Sequence, residues 1–214
     1  MSSLDRQTEY WDRVAATKQF THPIDVERFG ELVPKTSHIL DCGCGYGRTC
    51  AQLRSLEYRS VIGLDISREM IERGRSLYPD ADLQHMTGGA LPFPANAFDT
   101  VLLFAVLTCI PTDKWQKALI SEVCRVLRPD GFLYISDHPI QDDARNQKRY
   151  AQFKPEFGTF GVFRLAEGVV VRHHTNEWID QLLRPFSEVH FCTIEASTMN
   201  GNRCKIIQYV GRKR

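Results

Sequence analysis

Apolar and polar residues alternate in blocks over residues 38–137, and the blocks follow two different periods. Short apolar runs of strand length are separated by segments in which apolar residues recur every three or four positions, as Trp115, Leu119 and Val123 do. The fourth run is apolar almost throughout, which is typical of a strand buried on both faces of a parallel sheet. The runs are HILDCG (38–43), SVIGLDIS (60–67), DLQHM (82–86), FDTVLLFAVL (98–107) and FLYISD (132–137). This alternation predicts a doubly wound α/β fold with right-handed crossovers.

Glycine, serine and proline residues set the limits of the predicted helices. A helix is expected over 47–56, directly after the first run, and Ser67 is placed to cap the helix after the second run. Pro129 and Gly131, in the segment RPDG, end the helix that follows the fourth run, because neither residue continues a helix easily.

The rhythm changes after Asp137. Residues 139–158 are polar with scattered aromatic residues, 159–174 alternate like a hairpin, and a helix at 175–186 precedes two strands at 188–197 and 204–211. Residues 5–34 are helical in pattern, and Thr-His-Pro at 21–23 interrupts them. The sequence therefore predicts one domain over 1–214, with a seven-stranded, mostly parallel sheet, helices on both faces and an insertion at 139–174 after strand 5.

The charge and the cysteines exclude several classes of protein. The 27 basic and 26 acidic residues leave a net charge of +1, so no basic footprint for nucleic acid or an anionic membrane is present. Seven cysteines, with no Cys-x-x-Cys pair, predict free thiols in a reducing compartment and no metal site. The N-terminus has no apolar signal segment, and no apolar run is long enough to span a bilayer. A cytoplasmic protein with no membrane contact is expected.

Three glycines stand at alternate positions directly after the first apolar run. Gly43, Gly45 and Gly47 cost backbone entropy, so their spacing suggests that the chain must approach something closely. The third glycine of the dinucleotide fingerprint would fall at Arg48, and no Gly-Lys-Ser/Thr of a P-loop follows. Asp65 ends the second run, where a carboxylate accepts hydrogen bonds from ribose hydroxyls. Loop and carboxylate together predict an adenosine-bearing ligand that needs no phosphate site.

Four blocks in this order resemble the class I S-adenosylmethionine-dependent methyltransferases, in particular the small-molecule branch called type 11. The blocks are ILDCGCGYGRT, VIGLDIS, LPFPANAFDTVLL and EVCRVLRPDGFLYISD, spread over about residues 38–137. The resemblance implies S-adenosyl-L-methionine as cofactor, S-adenosyl-L-homocysteine as product, and a small-molecule acceptor methylated at O, N, S or C. It also implies that 1–34 form a helical lid, 35–137 the cofactor-binding core, 139–174 a substrate-side insertion and 175–214 the closing helix and strands.

The same resemblance implies roles for particular residues. Asp41 would brace the glycine loop and reach the methionine ammonium, Asp65 would accept from the ribose, and Phe104 would lie near the sulfonium. The remaining positions would contact the methionine part or the adenine: Gly43, Cys44, Gly45, Gly47, Ile66, Gly89, Ala90 and Leu91. Relatives usually carry Asp where Gly89 stands, and often His-His where Thr108 and Cys109 stand, so those two contributions do not carry over.

A sulfonium is already activated, so such an enzyme mainly aligns the reacting groups and excludes water. Where a base is needed, the histidine candidates are His138, His173 and His174. Alternation places His173 and His174 on opposite faces of the hairpin, so at most one of the two faces the pocket. Tyr10 is a further catalytic candidate and a candidate lid residue. Residues 145, 148 and 149 are basic and form either a carboxylate site or a solvated face.

Two other functions stay open: methylation of RNA or protein, and a regulator that binds the cofactor without catalysis. The near-zero net charge and the lack of Pro-Pro-Tyr/Phe after the fourth run count against the first. The intact Asp41 and Asp65 count against the second. The protein is expected to be a monomer or a homodimer.

Overall fold

The computed structural model describes residues 3–214, with side chains from residue 7 onward. Residues 1 and 2 of the predicted N-terminal segment lie outside the described residues. Within the described part, seven strands form one sheet in the order β3-β2-β1-β4-β5-β9-β8, and β6 and β7 form a separate two-stranded sheet. The strands are β1 (Ile39–Cys42), β2 (Val61–Asp65), β3 (Asp82–His85), β4 (Phe98–Phe104), β5 (Leu127–Asp137), β6 (Val162–Arg164), β7 (Val170–Arg172), β8 (Phe186–Ser197) and β9 (Arg203–Lys213).

The direction of the strands confirms the predicted mostly parallel, doubly wound sheet. Strands β1 to β5 pair in parallel, with Asp41 beside Gly63 on one side and beside Leu102 on the other. Strand β9 runs antiparallel to both β5 and β8. The helices are α1 (Ser3–Val14), α2 (Val26–Leu32), α3 (Arg48–Ser55), α4 (Arg68–Leu77), α5 (Asp113–Val126), α6 (Ala144–Phe157) and α7 (Asn176–Leu182).

Alternate residues of the central strands serve two hydrophobic cores, because successive side chains of a strand point to opposite faces. Val101 and Leu103 of β4 pack in one cluster with Val123 of α5 and Ile179 of α7. Leu102, between them, packs in the other cluster, which includes side chains of α2, α3 and α4. The near-continuous apolar run of β4 therefore reflects burial on both faces, as its pattern predicts.

Two elements differ from the sequence-based expectation. Helix α5 ends at Val126, and β5 begins at Leu127, so RPDG lies inside the strand and not between the two elements. The register of β4 against β5 shifts between Phe98 and Thr100, and Asp130 has a φ of 61°, so the turn is absorbed as an irregularity of the strand. Helix α6 occupies most of the polar segment for which no element was predicted, and the Asp143 carboxylate caps it by accepting from the Asn146 backbone N–H.

The insertion predicted at 139–174 contains α6 and the β6–β7 hairpin, and a bridge between Pro139 and His174 joins its two ends. The hairpin, α1 and the β8–β9 turn all lie over the carboxyl ends of the parallel strands, where open α/β sheets bind ligands. No helix within residues 3–214 combines the length and the apolar character needed to cross a membrane.

Candidate functional site

A cavity of about 320 Å³ lies at the carboxyl ends of β1, β2, β4 and β5. Its floor is built from strand ends and from the glycine loop. Its roof comes from three distant segments, namely α1 with the residues after it, the insertion, and the β8–β9 turn. This size and this position are those of a small-molecule site.

The three glycines of the loop give room to side chains of the protein itself. A Cβ added at each glycine would overlap an apolar side chain, namely Val106 at Gly43, Phe20 at Gly45 and Leu83 at Gly47. All three also have positive φ, which favours glycine. Gly43, Cys44 and Gly45 line the cavity, whereas Gly47 does not, because it caps α3 and packs on the β3 side. The predicted backbone contact at Gly47 is therefore not offered by the cavity.

Asp65 joins the loop to the end of β2. Its carboxylate accepts hydrogen bonds from the backbone N–H of Gly45 at 2.7 Å and of Ser67 at 2.8 Å, and it lines the cavity. Burial raises the pKa of Asp65, while the two backbone donors oppose that rise. A carboxylate fixed in this way keeps lone pairs for a further donor, such as a hydroxyl from the cavity.

Asp41 and Arg48 place opposite charges in the wall beside the loop. Asp41 is buried, and among the described residues its carboxyl accepts one hydrogen bond, from the Cys50 thiol, whose Sγ lies 3.4 Å from Oδ2. Burial raises the pKa of Asp41 to about 7. Arg48 donates from Nη2 to the backbone carbonyl of His22, and its buried Nε has no hydrogen-bond partner among the described residues. The wall thus places a carboxyl that has no ion-pair partner in the described part of the chain near a guanidinium group, and both residues line the cavity.

A shallow, largely apolar part of the cavity lies beyond Asp65. Ile66, Leu91 and Trp115 line it, together with Gly88 and Gly89. Gly89 faces open space, since a Cβ there would have only Trp115 Cζ3 nearby, at 3.7 Å. Ala90, which the sequence predicted at this edge, is exposed and does not line the cavity. The apolar walls suit a flat ring, and Gly89 contributes no side-chain acceptor.

Phe104 closes the floor at the end of β4, as predicted, and packs edge-on against Tyr134. The next residue, Ala105, has a φ of 56°, which is unusual for a residue with a Cβ. Its backbone N–H donates to Ser136 at 2.7 Å, and its carbonyl accepts from the Cys109 thiol at 3.2 Å. Backbone held in a sparsely populated conformation is common at functional sites, and here it turns the chain under the cavity.

Hydrogen bonds and an ion pair in the roof link four residues, which are together called the clasp: Tyr10, Lys18, Glu167 and Asn200. The Tyr10 hydroxyl donates to Glu167 at the tip of the β6–β7 hairpin, at 2.7 Å. Lys18 pairs with the same carboxylate at 3.0 Å and donates to Asn200 of the β8–β9 turn at 2.9 Å. Burial and the Glu167 carboxylate raise the pKa of Tyr10, so it stays protonated at neutral pH. The N-terminal segment is thereby fastened over the cavity.

Two histidines pair at the back of the cavity. His22 Nδ1 lies 3.0 Å from both the backbone carbonyl and the hydroxyl of Ser136, and its Nε2 lies 3.2 Å from His138 Nε2. The predicted candidate His138 lines the cavity, but its Nδ1 is enclosed by protein and finds no hydrogen-bond partner within the described part of the chain. Burial lowers the pKa of His22 to about 3 and of His138 to about 4, so both rings are neutral at pH 7.

His174, the other predicted base, does not line the cavity. Gln116 Nε2 lies 2.9 Å from its Nε2, and its Nδ1 lies 3.2 Å from the His138 carbonyl. Because an amide nitrogen only donates, Nε2 of His174 accepts and Nδ1 carries the proton. Gln116 in turn accepts from the Trp178 indole at 2.6 Å. Both nitrogens of His174 are therefore committed to holding the insertion on the sheet, and the prediction of a catalytic role is wrong in its geometry.

His173, on the opposite face of the strand end, lines the cavity instead. Its Nδ1 lies 2.6 Å from the hydroxyl of Tyr150, which also accepts from the backbone N–H of Gln141 at 3.1 Å. Tyr150 is fully buried, and Nδ1 of His173 is the acceptor within its reach. Burial lowers the pKa of His173 well below its usual value. Sequence alternation had separated the two histidines correctly, but it had not indicated which one faces inward.

Arg145 and Arg149 of α6 also line the cavity, whereas Lys148 does not. Arg149 donates to Asn146 Oδ1 at 3.2 Å and lies over the Phe163 ring, with 5.2 Å between Cζ and the ring centroid. From the sequence, these residues could form either a carboxylate site or a solvated face. Other lining residues had no sequence signal of their own: Gln7, Phe20, His22, Met86, Phe163, Leu165, Met199 and Asn200. Among the side chains described, no group of three or more His, Cys, Asp and Glu residues is placed to hold a metal ion.

Comparison with known proteins adds independent findings. Residues 40–135 match the family model of a methyltransferase domain. The 27-O-demethylrifamycin SV methyltransferase of Amycolatopsis mediterranei is 29% identical over 136 residues, which are 60% of this chain and 49% of that protein. The O-methyltransferase resE of Aspergillus sclerotiorum is 27% identical over 182 residues, which are 82% of this chain and 62% of that protein. The chain thus spans about half to three-fifths of these relatives.

A solved structure extends the likeness to nearly the whole chain. The crystal structure of an S-adenosylmethionine-dependent methyltransferase from Methanosarcina mazei matches with a TM-score of 0.83 at 26% identity, covering 89% of this chain and 98% of that one. These matches confirm the resemblance and the fold class predicted from the sequence. They leave the individual site residues and the domain limits as predictions.

Proposed function

We propose, from the class I S-adenosylmethionine-dependent methyltransferase domain that this chain carries, that the protein transfers a methyl group to a small molecule enclosed between the N-terminal segment 1–34 and the insertion 139–174. The observation that carries the proposal is the cavity itself. Its floor presents the loop, Asp41 and Asp65, and its roof closes over them. The cytoplasmic location and the choice between monomer and homodimer remain predictions.

The charged residues of the floor fit the parts of S-adenosylmethionine. The Asp41 carboxyl suits an ammonium group, and the Arg48 guanidinium, which lines the same wall of the cavity, suits a carboxylate, so the two would hold the amino-acid end. Asp65 would accept from the ribose hydroxyls. Ile66, Leu91 and Trp115 would enclose the adenine. Phe104 would lie towards the sulfur.

The cofactor supplies a methyl group on a positively charged sulfur, which needs no further activation. The protein therefore has to align the acceptor and exclude water, and the roof that closes over the cavity serves both purposes. His22 and His138 are poor bases, since burial lowers their pKa to about 3 and about 4. We infer that the site methylates an acceptor that is nucleophilic without a strong protein base.

Binding and turnover test the proposal separately. Thermal unfolding with S-adenosylmethionine or S-adenosylhomocysteine at 100 times the dissociation constant should raise stability by about 2.7 kcal/mol. A small-metabolite extract supplied with a labelled methyl donor should yield a labelled product of low molecular mass. Stabilisation without any labelled product from extracts of several sources would favour a binding protein over an enzyme. No stabilisation by either nucleoside would overturn both.

A further inference from the structure

Resting on the proposed function, we propose that the acceptor carries a carboxylate on an apolar body and that Arg149, Arg145 and His173 form the subsite that anchors this carboxylate, away from the atom that is methylated. These residues come from α6 and from the end of the insertion, on the roof side of the cavity. They are separate from Asp41, Arg48 and Asp65, which lie on the floor. The geometry assigns the class of acceptor from three independent features, which are charge, a fixed donor and the apolar walls.

Arg149 is a cation without an anionic partner. Among the described residues no carboxylate lies within ion-pair distance of it, and its guanidinium donates one hydrogen bond, to the amide oxygen of Asn146. Burial and the neighbouring Arg145 lower the pKa of Arg149, although a guanidinium stays charged at any physiological pH. A half-buried guanidinium with free donors in a cavity wall is suited to a bidentate carboxylate.

His173 adds a neutral donor whose direction is set by its neighbour. The buried Tyr150 hydroxyl already accepts from Gln141, so its own proton goes to His173 Nδ1, 2.6 Å away. A neutral His173 then carries its remaining proton on Nε2, for which the structure gives no protein partner. The imidazole packs edge-on against Phe163, with 4.9 Å between centroids, and Arg149 lies over the same phenyl ring. The Arg149 guanidinium and the His173 imidazole therefore both lie against the Phe163 ring.

The net charge of the subsite favours a monoanion over a phosphate. Arg145 is partly neutralised by Asp143, whose Oδ1 lies 3.8 Å from its Nε, so about one positive charge remains uncompensated. The adjoining walls, Phe163, Leu165, Val169 and Val171, are apolar. They offer the acceptor an apolar surface for its body. A carboxylate on a hydrocarbon or aryl body matches both features.

The experiment uses the full chain saturated with S-adenosylhomocysteine. Benzoate, phenylacetate, 2-naphthoate and octanoate are titrated by ligand-observed NMR, each beside its primary amide and beside phenyl phosphate. At least one acid should bind at least 10-fold more tightly than its amide and than phenyl phosphate. Arg149→Gln should weaken that acid at least 10-fold and leave the amide unchanged. Lys148→Gln, which removes the same charge from an exposed neighbour outside the cavity, should change neither.

Several results would overturn the subsite. They are equal binding of acids and amides, binding of none of the four acids, preference for phenyl phosphate, or equal effects of Arg149→Gln and Lys148→Gln. Tyr150→Phe gives a second check, because it frees His173 Nδ1 to take the proton. It should weaken the acid at least threefold while the melting temperature and S-adenosylhomocysteine affinity show that the fold and floor persist. Calorimetry with S-adenosylhomocysteine alone tests the proposed function, so its failure is seen independently of the acids.

Discussion

Restoring a carboxylate at position 89 should tighten cofactor binding. In the type 11 enzymes that this chain resembles, an acidic residue usually stands there and meets the adenine amino group. Gly89 lines the cavity, its φ lies outside the left-handed region, and a new Cβ would be in ordinary contact with Trp115 at 3.7 Å. Gly89→Asp therefore introduces neither steric overlap nor backbone strain. Gly88→Asp would strain the backbone, because Gly88 has a φ of 99°.

The size of the gain follows from the exposure of the rim. A hydrogen bond to a charged group contributes about 1.5–3 kcal/mol where it is well buried. Gly89 lies in an exposed stretch, so solvent screens the new carboxylate and we expect about 1 kcal/mol. That corresponds to about fivefold tighter binding of S-adenosylhomocysteine. Gly89→Asn keeps an acceptor without the charge and should give roughly half of this free energy.

Isothermal titration calorimetry of the product at fixed pH and salt measures the effect directly. Ala90→Asp is the matched control, since it adds the same charge one residue away at an exposed position outside the cavity. An unchanged or weaker affinity in a well-folded Gly89→Asp protein would refute the assignment of this rim to adenine. Equal tightening by Ala90→Asp would show that only the general charge of the rim matters.

Three further predictions concern the floor and the clasp. Because burial raises the pKa of Asp41 to about 7, its ionised form should become available to an ammonium group as pH rises from 6 to 8. Calorimetry should show product affinity rising over that range and flattening in Asp41→Asn. Asp41 alone makes the unliganded protein less stable as pH rises from about 4 to 7, and this contribution is measured as the difference in stability from Asp41→Asn, because the buried histidines, whose pKa burial lowers, act in the opposite direction. Asp65→Ala should cost at least about 1 kcal/mol of product affinity, and unchanged calorimetric affinity would show the ribose assignment to be wrong. Glu167→Gln removes the ion pair with Lys18 and should speed product release, measured by stopped flow, with less than about 1 kcal/mol change in stability. Glu156→Gln is the control, because its ion pair with Arg164 lies elsewhere on the insertion, and it should leave the rate of product release unchanged.

Local signals in the sequence predicted the floor well. Strand ends, caps and positive-φ glycines depend on neighbouring residues, so Ser67 caps α4 and Asp65 ends β2 as expected. What each glycine accommodates was not predictable, because the partners come from distant parts of the chain. Gly45 makes room for Phe20, and only the folded chain shows that the aromatic ring lies there.

The roof was predicted less well for the same reason. Which of His173 and His174 faces inward depends on how the insertion docks on the sheet, and Gln116 of α5 determines that by binding His174. Helix α6 carries few apolar residues and owes its burial to Tyr150, so its pattern gave no helical signal. The sequence alone therefore did not decide whether the basic residues of α6 form a solvated face or a carboxylate site.

Floor and roof differ in how they are held, and that difference bears on function. The floor consists of strand ends with backbone hydrogen bonds and fully buried apolar neighbours such as Leu64 and Leu102, which open only with the whole core. The roof is fastened by a few polar contacts. The partly exposed contacts of Lys18 with Glu167 and Asn200 contribute about 0–1 kcal/mol each, and two further, less exposed hydrogen bonds join α1 to the hairpin, from Tyr10 to Glu167 and from Gln7 to the Val170 carbonyl. Separating α1 from the hairpin should therefore cost far less than unfolding the sheet. Under the proposed function the site admits one nucleoside and releases another in every cycle, which requires that asymmetry. Hydrogen exchange should be faster in α1 than in β1 and β4 by orders of magnitude.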